Sequence, residues 1–310
     1  MKLPYGVPAA LLGQAELGPA WADWLGRLPA LVSSLLIDWE LAYVGPPWHG
    51  FASLVAPVQT SYGGDAVLKV TFDGDDESLH EAVALRHWAG RGTVLLFRAD
   101  PYRRALLLER LHQQDLNQMP DTQACNLVAR LYRRLHVPAL PQLQTVTSYV
   151  DRWVDALTSL PRSAPIPRRL VDQATSLGRQ FVADPASTGV LIHGDLHYEN
   201  VLAGDREPWL VIDPKPMSGD PHYEPAPMLW NRWDELIASG NVRAAVRRRL
   251  HTLVDTAGLG EQRARDWVIV RMVLNAHWSI ADAERANRSL HEDERDWITQ
   301  CITIAKAVQD

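Results

Sequence analysis

Residues 191–202 read LIHGDLHYENVL. Apolar residues lead into His193, and then Gly194, Asp195, His197, Glu199 and Asn200 crowd one short turn before apolar residues resume. Polar and ionisable groups inside what reads as core are costly unless they are paired or put to use. Two chemistries could use them. One is phosphoryl transfer, with an Asp taking a hydroxyl proton and an Asn holding a metal. The other is a metal-bound hydrolytic site built on His193, Asp195 and His197 at alternate positions.

The rest of the chain narrows the choice. Its 310 residues suit two domains or one large two-lobed domain, and 46% hydrophobic with 22% charged residues is ordinary for a globular protein. A net charge of −6 and a pI near 6.0 argue against a broad nucleic-acid surface. Cys125 and Cys301 stand far apart, which excludes a disulfide framework or a Cys-rich metal site. No apolar stretch approaches the ~20 residues that span a bilayer. The N-terminal residues make a poor signal peptide. A cytoplasmic monomer is the expectation. The basic residues are lopsided, with 27 Arg and only 4 Lys, so Lys69 in an apolar strand stands out.

Apolar spacing over 20–37 predicts one or two helices. Short β-favouring runs follow at 39–45, 51–58 and 66–72, and the GGD at 63–65 suits a tight hairpin. Residues 75–90, acidic at the start and closed by Gly90, read as a helix. TVLLFRAD and ALLLERL read as two more strands, and after Leu111 the chain turns mainly helical apart from a short hairpin. The predicted fold is α+β and bilobal: a β-rich nucleotide-binding lobe at 1–108, a hinge at 109–112, and a larger helical lobe for catalysis and substrate at 113–310. A boundary between such lobes is a common small-molecule site.

A hydrolase would need further ligand clusters, and the other His residues form none of the H-x-H or H-E-x-x-H type. A kinase makes five demands, and the chain meets them in order. AVLKV supplies a strand Lys, with Val67 and Lys69 on one face, Val67 for adenine and Lys69 for phosphates. A surface Lys on an edge strand is the plainer reading. On the 75–90 helix Glu77, Glu81, Leu85 and Trp88 share a face; Glu81, mid-helix on the buried side, is the better partner for Lys69, and Glu77 the fallback. VGPPWHGFAS, with Gly50 and Ser53, is the covering phosphate loop or else a plain hairpin turn. Glu109 and Leu111 offer free backbone groups to adenine as the strand leaves the sheet. Asp195 and Asn200 have D-x-x-x-x-N spacing, and Asp213 lies thirteen residues beyond Asn200, a length that returns it to the same place across a short hairpin.

With these residues in order, the chain resembles the aminoglycoside phosphotransferase branch of the protein-kinase-like superfamily. HGDLHYENVL and VIDPKPMSGDPHYE look like that family's H-G-D-x-H-x-x-N and I-D-x-x-x-x-x-x-D-P patterns, and are most similar to the streptomycin 6-kinase and hydroxyurea kinase group. The likeness runs from residue 28 to the C-terminal helices and is sharpest at 191–224. It implies ATP and Mg²⁺ as cofactors, Asp195 as catalytic base, Asn200 and Asp213 as Mg²⁺ ligands, and Lys69 paired with Glu81. His193 and His197 would brace the turn, and Asp220 would fix the catalytic loop. The family usually has Asp where Glu224 stands and an apolar residue where Pro225 stands. A substrate such as streptomycin carries guanidinium groups, so acidic and aromatic residues of the helical lobe are the candidates: Glu199, Glu224, Asp234, and Asn275, Trp278 and Asp282 on one helical face. Core packing with a solvated Asp is the alternative for that face. Hydroxyurea would need only a small polar niche, and a nucleotide-binding scaffold without activity is the remaining reading.

Overall fold

The computed structural model describes residues 4–309. The chain forms two compact units: the first runs to Gln114 and also takes Leu202–Lys215; the second holds Asp115–Val201 and Pro216 onward.

In the first unit, α1 (Ala9–Gly13) and α2 (Pro19–Asp38) precede strands β1 (Leu41–Tyr43), β2 (Trp48–His49), β3 (Ser53–Thr60) and β4 (Asp65–Thr71). Helix α3 (Glu81–Trp88) and strands β5 (Leu96–Asp100) and β6 (Ala105–Glu109) follow. The strands form an antiparallel sheet in the order β1-β3-β4-β6-β5, with β2 also on β3. Strand alternation then decides what each face does. Leu54, Ala56, Val58, Ala66, Leu68, Val70, Ala105 and Leu107 join one buried cluster with Trp24, Leu25, Leu28, Val32 and Leu35 of α2. Those α2 residues recur at helical spacing, so one stripe of the helix covers one face of the sheet. The opposite face carries Val67 and Lys69, and Lys69 is in register with Val55 on β3 and Leu106 on β6.

Helix α2 is a single helix that runs through Pro29, with Ser33 Oγ donating to the Pro29 carbonyl at 2.8 Å. The GGD segment makes the β3–β4 turn, with Gly63 at φ +81, a conformation that suits glycine. The 75–90 helix is shorter than its composition predicts. Asp76–Ser78 forms a separate 3-10 turn, and α3 begins only at Glu81. Arg104 anchors that turn by donating to the Asp75 carbonyl and, at 2.9 Å, to Ser78 Oγ. Tertiary hydrogen bonds thus override the local helix preference. Helix α3 ends on Ala89 at φ +49, one residue before Gly90.

In the second unit the chain forms α4 (Asp121–Leu135), β7 (Val137–Pro138), α5 (Val146–Ser159), α6 (Arg168–Ala183) and β8 (Val190–Ile192). Strands β9 (Val201–Leu202) and β10 (Leu210–Val211) carry it out to the first unit and back. It returns through β11 (Met217–Gly219), α7 (Ala226–Trp230), α8 (Trp233–Ala238), α9 (Val242–Ala257), α10 (Glu261–Arg285) and α11 (Glu292–Ala307). A three-stranded sheet in the order β11-β8-β7 delivers the chain to His193. Trp267 of α10 is fully buried, stacked on Phe181 at 3.9 Å. No helix among the described residues is long and apolar enough to cross a membrane.

The excursion 202–215 is stitched into the first unit. Arg206 donates to the carbonyls of Gly90 and Thr93, both at 2.7 Å, and pairs with Glu109 at 3.0 Å. Val211 exchanges backbone hydrogen bonds with Gly92 and Val94, each at 2.9 Å.

Candidate active site

Strand β4 delivers Lys69 to the sheet face that α2 leaves uncovered. Its ammonium donates to both Glu81 carboxylate oxygens, at 2.8 and 2.7 Å, and to Asp213 Oδ1 at 2.6 Å. All three ammonium protons are spent on these bonds. Burial opposes the charge on Lys69, but Asp213 and Glu81 outweigh it and raise the ammonium pKa. Glu81 is the first residue of α3 rather than a mid-helix residue. Glu77 lies in the 3-10 turn outside α3, so it does not share a helical face with Glu81. Val67 is 9% exposed on the same face as Lys69, in register with Leu108.

Asp213 adopts φ +54, a left-handed conformation rare for a residue with a side chain and concentrated at functional sites. A second lysine joins it: Lys215 Nζ lies 3.5 Å from Asp213 Oδ1 and 3.7 Å from Asp75 Oδ2. Burial again works against the cation, and Asp213 and Asp75 more than compensate, raising its pKa. Neither Lys215 nor Asp75 belongs to a motif or a periodic pattern in the sequence. The scarcity of lysine was the signal that could have found Lys215.

Gly50 and Ser53 close the β2–β3 hairpin, where Gly50 N–H donates to the Ser53 carbonyl at 3.0 Å. A Cβ at Gly50 would meet Ser53 Oγ at 2.9 Å, so that hydroxyl would have to turn aside for any larger residue. Glu109 departs from expectation: its N–H donates to the Leu95 carbonyl at 2.9 Å, and its carboxylate holds the Leu95 N–H at 3.0 Å. Its N–H is therefore not free for a ligand. Leu111 N–H makes no hydrogen bond among the described residues.

In the second unit β8 leads into the 193–200 turn. His193 is fully buried, and its Nδ1 accepts from Asp195 N–H at 3.2 Å. Asn200 Nδ2 donates to the Asp195 carbonyl at 2.8 Å and faces His197 Nε2 at 3.2 Å. The two histidines thus brace the turn, and the Asp195 carboxylate stays 30% exposed. Glu224 is fully buried and accepts from the N–H groups of His193 and Gly194. Burial opposes its ionisation, but neighbouring His136 and His193 hold its carboxyl below the usual range. Arg271 donates to the Gly194 carbonyl. Tyr198 secures the far end: its hydroxyl donates to Asp121, which Arg249 also holds at 2.9 Å. Arg271, Tyr198, Asp121 and Arg249 are structural residues of this turn that motif reading did not assign, and Glu224, expected as a substrate residue, is structural as well.

Asp220 fixes a different element from the one expected. It accepts from His222 N–H at 3.0 Å, Arg263 Nε at 2.5 Å and Trp267 Nε1 at 2.7 Å, tying the 220–223 turn to α10. Among the acidic and aromatic candidates for a substrate, Glu224 has no exposed surface to offer. Glu199 is exposed and accepts from Asn117 at 3.3 Å. Asp234 is exposed in the first turn of α8, and Asp282 pairs with Arg285 at 3.0 Å. Asn275 is 6% exposed inside α10. Trp278 is half-buried and meets Tyr149 and Trp153 of α5 edge-on at 5.6 and 6.1 Å. Trp153 Nε1, Trp278 Nε1 and both His277 ring nitrogens are buried without a hydrogen bond among the described residues.

The structure therefore gathers Lys69, Glu81, Asp213, Lys215 and Asp75 in the first unit, and His193, Asp195, His197, Asn200 and Glu224 in the second. Each unit carries an oxygen donor of the kind a hard cation takes. Asn200 spends its NH₂ on the turn, which leaves its Oδ1 as donor, and Asp213 supplies a carboxylate. Among the described residues no group of three or more His, Cys, Asp and Glu is placed to hold a metal.

A family model described as aminoglycoside/hydroxyurea antibiotic resistance kinase matches residues 38–283. The chain is 38% identical over 287 residues to a streptomycin 6-kinase of Streptomyces glaucescens, covering 90% of this chain and 92% of that one. It is also 38% identical over 291 residues to a hydroxyurea phosphotransferase of Kitasatospora aureofaciens, covering 90% and 82%. Among solved structures, a choline/ethanolamine kinase family protein from Mesorhizobium loti superposes with a TM-score of 0.61 at 17% identity, covering 90% and 94%. The aminoglycoside phosphotransferase APH(4)-Ia, in its ternary complex with ADP and hygromycin B, gives 0.57 at 17% identity, covering 89% and 97%. At such identities the structural likeness is one of fold, the α+β protein-kinase-like fold.

Proposed function

The chain belongs to the aminoglycoside/hydroxyurea antibiotic resistance kinase family, and from that premise we propose that it transfers the γ-phosphoryl group of ATP to a hydroxyl of a cationic aminoglycoside, streptomycin foremost. The observation that carries the kinase reading is the Lys69 ammonium, buried between both Glu81 oxygens and Asp213 Oδ1. A buried lysine fixed by a helical Glu is what aligning nucleotide phosphates requires.

In this reading the Asp195 carboxylate receives the acceptor's hydroxyl proton as that oxygen attacks the γ-phosphorus. The bond from the γ-phosphorus to the bridging oxygen breaks, and ADP leaves. Lys69 aligns the α- and β-phosphates. Val67 covers adenine, and the backbone near 109–112, with Leu111 N–H as donor, reads its edge. The β2–β3 hairpin with Gly50 and Ser53 covers the phosphates. Asn200 and Asp213 would hold Mg²⁺, which supplies positive charge to the phosphate oxygens when bound. Positioning and fixed charge do most of the work.

The acceptor reading rests on the streptomycin 6-kinase relatives and on the aromatic group of Tyr149, Trp153 and Trp278, a residue type that stacks on guanidinium cations, as Arg152 already does over Tyr149 at 5.7 Å. The hydroxyurea phosphotransferase relative, equally similar, keeps hydroxyurea as the second acceptor. An ATP-fed reaction fits the cytoplasm, and the proposed state is a monomer. The test is ATP consumption against streptomycin, other aminoglycosides and hydroxyurea. Streptomycin should stimulate most, and D195A should lower turnover about a thousandfold while still binding nucleotide. Undiminished turnover in D195A, or no acceptor among these compounds, would sink the proposal.

A further inference from the structure

Lys69 and Lys215 share Asp213 but stand in different conditions. Lys69 makes three hydrogen bonds of 2.6 to 2.8 Å and has no donor left. Lys215 reaches the same Asp213 oxygen only at 3.5 Å and Asp75 only at 3.7 Å, too long for firm hydrogen bonds. Its side chain is 21% exposed, against 7% for Lys69. The first unit therefore holds a half-buried ammonium with unspent donors, beside the carboxylate proposed to carry the phosphate-bound cation. Asp75 Oδ2, buried and without a hydrogen bond among the described residues, lies on its other side and keeps it in place by charge alone.

Resting on the kinase reading above, we propose that Lys215 is a second phosphate-contacting lysine, which holds the terminal phosphate of the bound triphosphate while Lys69 holds the inner ones. The assignment follows from neighbours. Lys69 is tied to α3 through Glu81, whereas the ion-pair partners of Lys215 among the described residues are Asp213 and Asp75, both at long range, so its chain can turn toward an oxygen anion. A cation held at Asp213 would supply positive charge to the phosphates of a bound triphosphate. An ammonium 3.5 Å from that carboxylate is within reach of the same terminal group. A charge-assisted hydrogen bond to a dianionic phosphate is among the stronger contacts a lysine makes. An ammonium there also meets the negative charge that moves as the phosphoryl group transfers.

The test compares two ligands, each with Mg²⁺: ADP, and an ATP analogue with a non-hydrolysable β–γ bridge. Calorimetry on the full chain should show K215M binding the triphosphate about tenfold more weakly than the native protein, with ADP affinity changed less than about twofold. K215R should recover most of the triphosphate affinity. If K215M fails to fold in a thermal melt, K215Q against K215R carries the same comparison. Equal losses for both ligands, or no loss for the triphosphate, would overturn the role of Lys215. A native protein that binds neither nucleotide would overturn the kinase reading itself, a distinct result.

Discussion

At Glu224 a carboxylate without exposed surface holds two backbone N–H groups, of His193 and Gly194, next to Asp195. Removing it leaves both donors buried and unpaired, together with His136 Nε2 at 3.6 Å. E224A should therefore lose about 3 kcal/mol or more in urea unfolding. E224Q should fall between, because an amide offers one acceptor and turns a donor toward the second N–H. A native-like stability for E224A would refute the bracing role. Residues at this scale were legible where their chemistry is unusual for their place. Lys69, a lysine in an apolar strand, meets Glu81 as its pattern predicts, and the spacing of Asp195 to Asn200 marks one hydrogen-bonded turn. Glu224 reads as a substrate residue in the sequence and Lys215 goes unread, because an acid or a lysine in an irregular loop has no periodicity to say which way it faces. Contacts far apart in sequence decided both.

Among the elements, α11 carries its own pH dependence. Glu294 is held bidentately by Arg288, at 2.7 Å for both bonds, and accepts from His291 N–H at 2.8 Å at the helix start. The Arg288 guanidinium and this N–H, against slight burial, lower its carboxyl to about 2 from 4.5. A carboxylate with a depressed folded-state pKa stabilises the fold above its unfolded value, and that contribution fades as pH falls toward the folded one. The stability gap between the native chain and E294Q should be constant above pH 5. It should shrink from about pH 4.5 to pH 2, as read by denaturant unfolding at each pH. A gap that persists at pH 2 would contradict the assignment. The strands were legible from alternation and turn residues, as in AVLKV and the GGD turn. The start of α3 was not, because Arg104, twenty-nine residues after Asp75, fixes the Asp75–Ser78 turn from outside the segment.

For the whole molecule, the first unit is discontinuous in sequence: residues 202–215 supply Arg206, Val211, Asp213 and Lys215 to a sheet otherwise complete by Glu109. Without them, the carbonyls of Gly90 and Thr93 and the Glu109 carboxylate lose Arg206, and Lys69 loses one of its two carboxylates. A fragment of residues 1–114 should therefore be cleaved by chymotrypsin far faster than the same residues in the intact chain. Cooperative unfolding of that fragment on its own would show that the excursion is dispensable. The order of a β-rich segment followed by a helical one was legible from pattern. The return of 202–215 was not, because only tertiary partners reveal where a short hairpin docks. The lysine count adds a practical corollary. Two of the four amines on side chains sit together around Asp213. An acylating reagent ferried by a nucleotide would thus modify this chain almost solely where phosphates are proposed to lie, and a peptide map of the adduct would give an address for the ligand without a crystal.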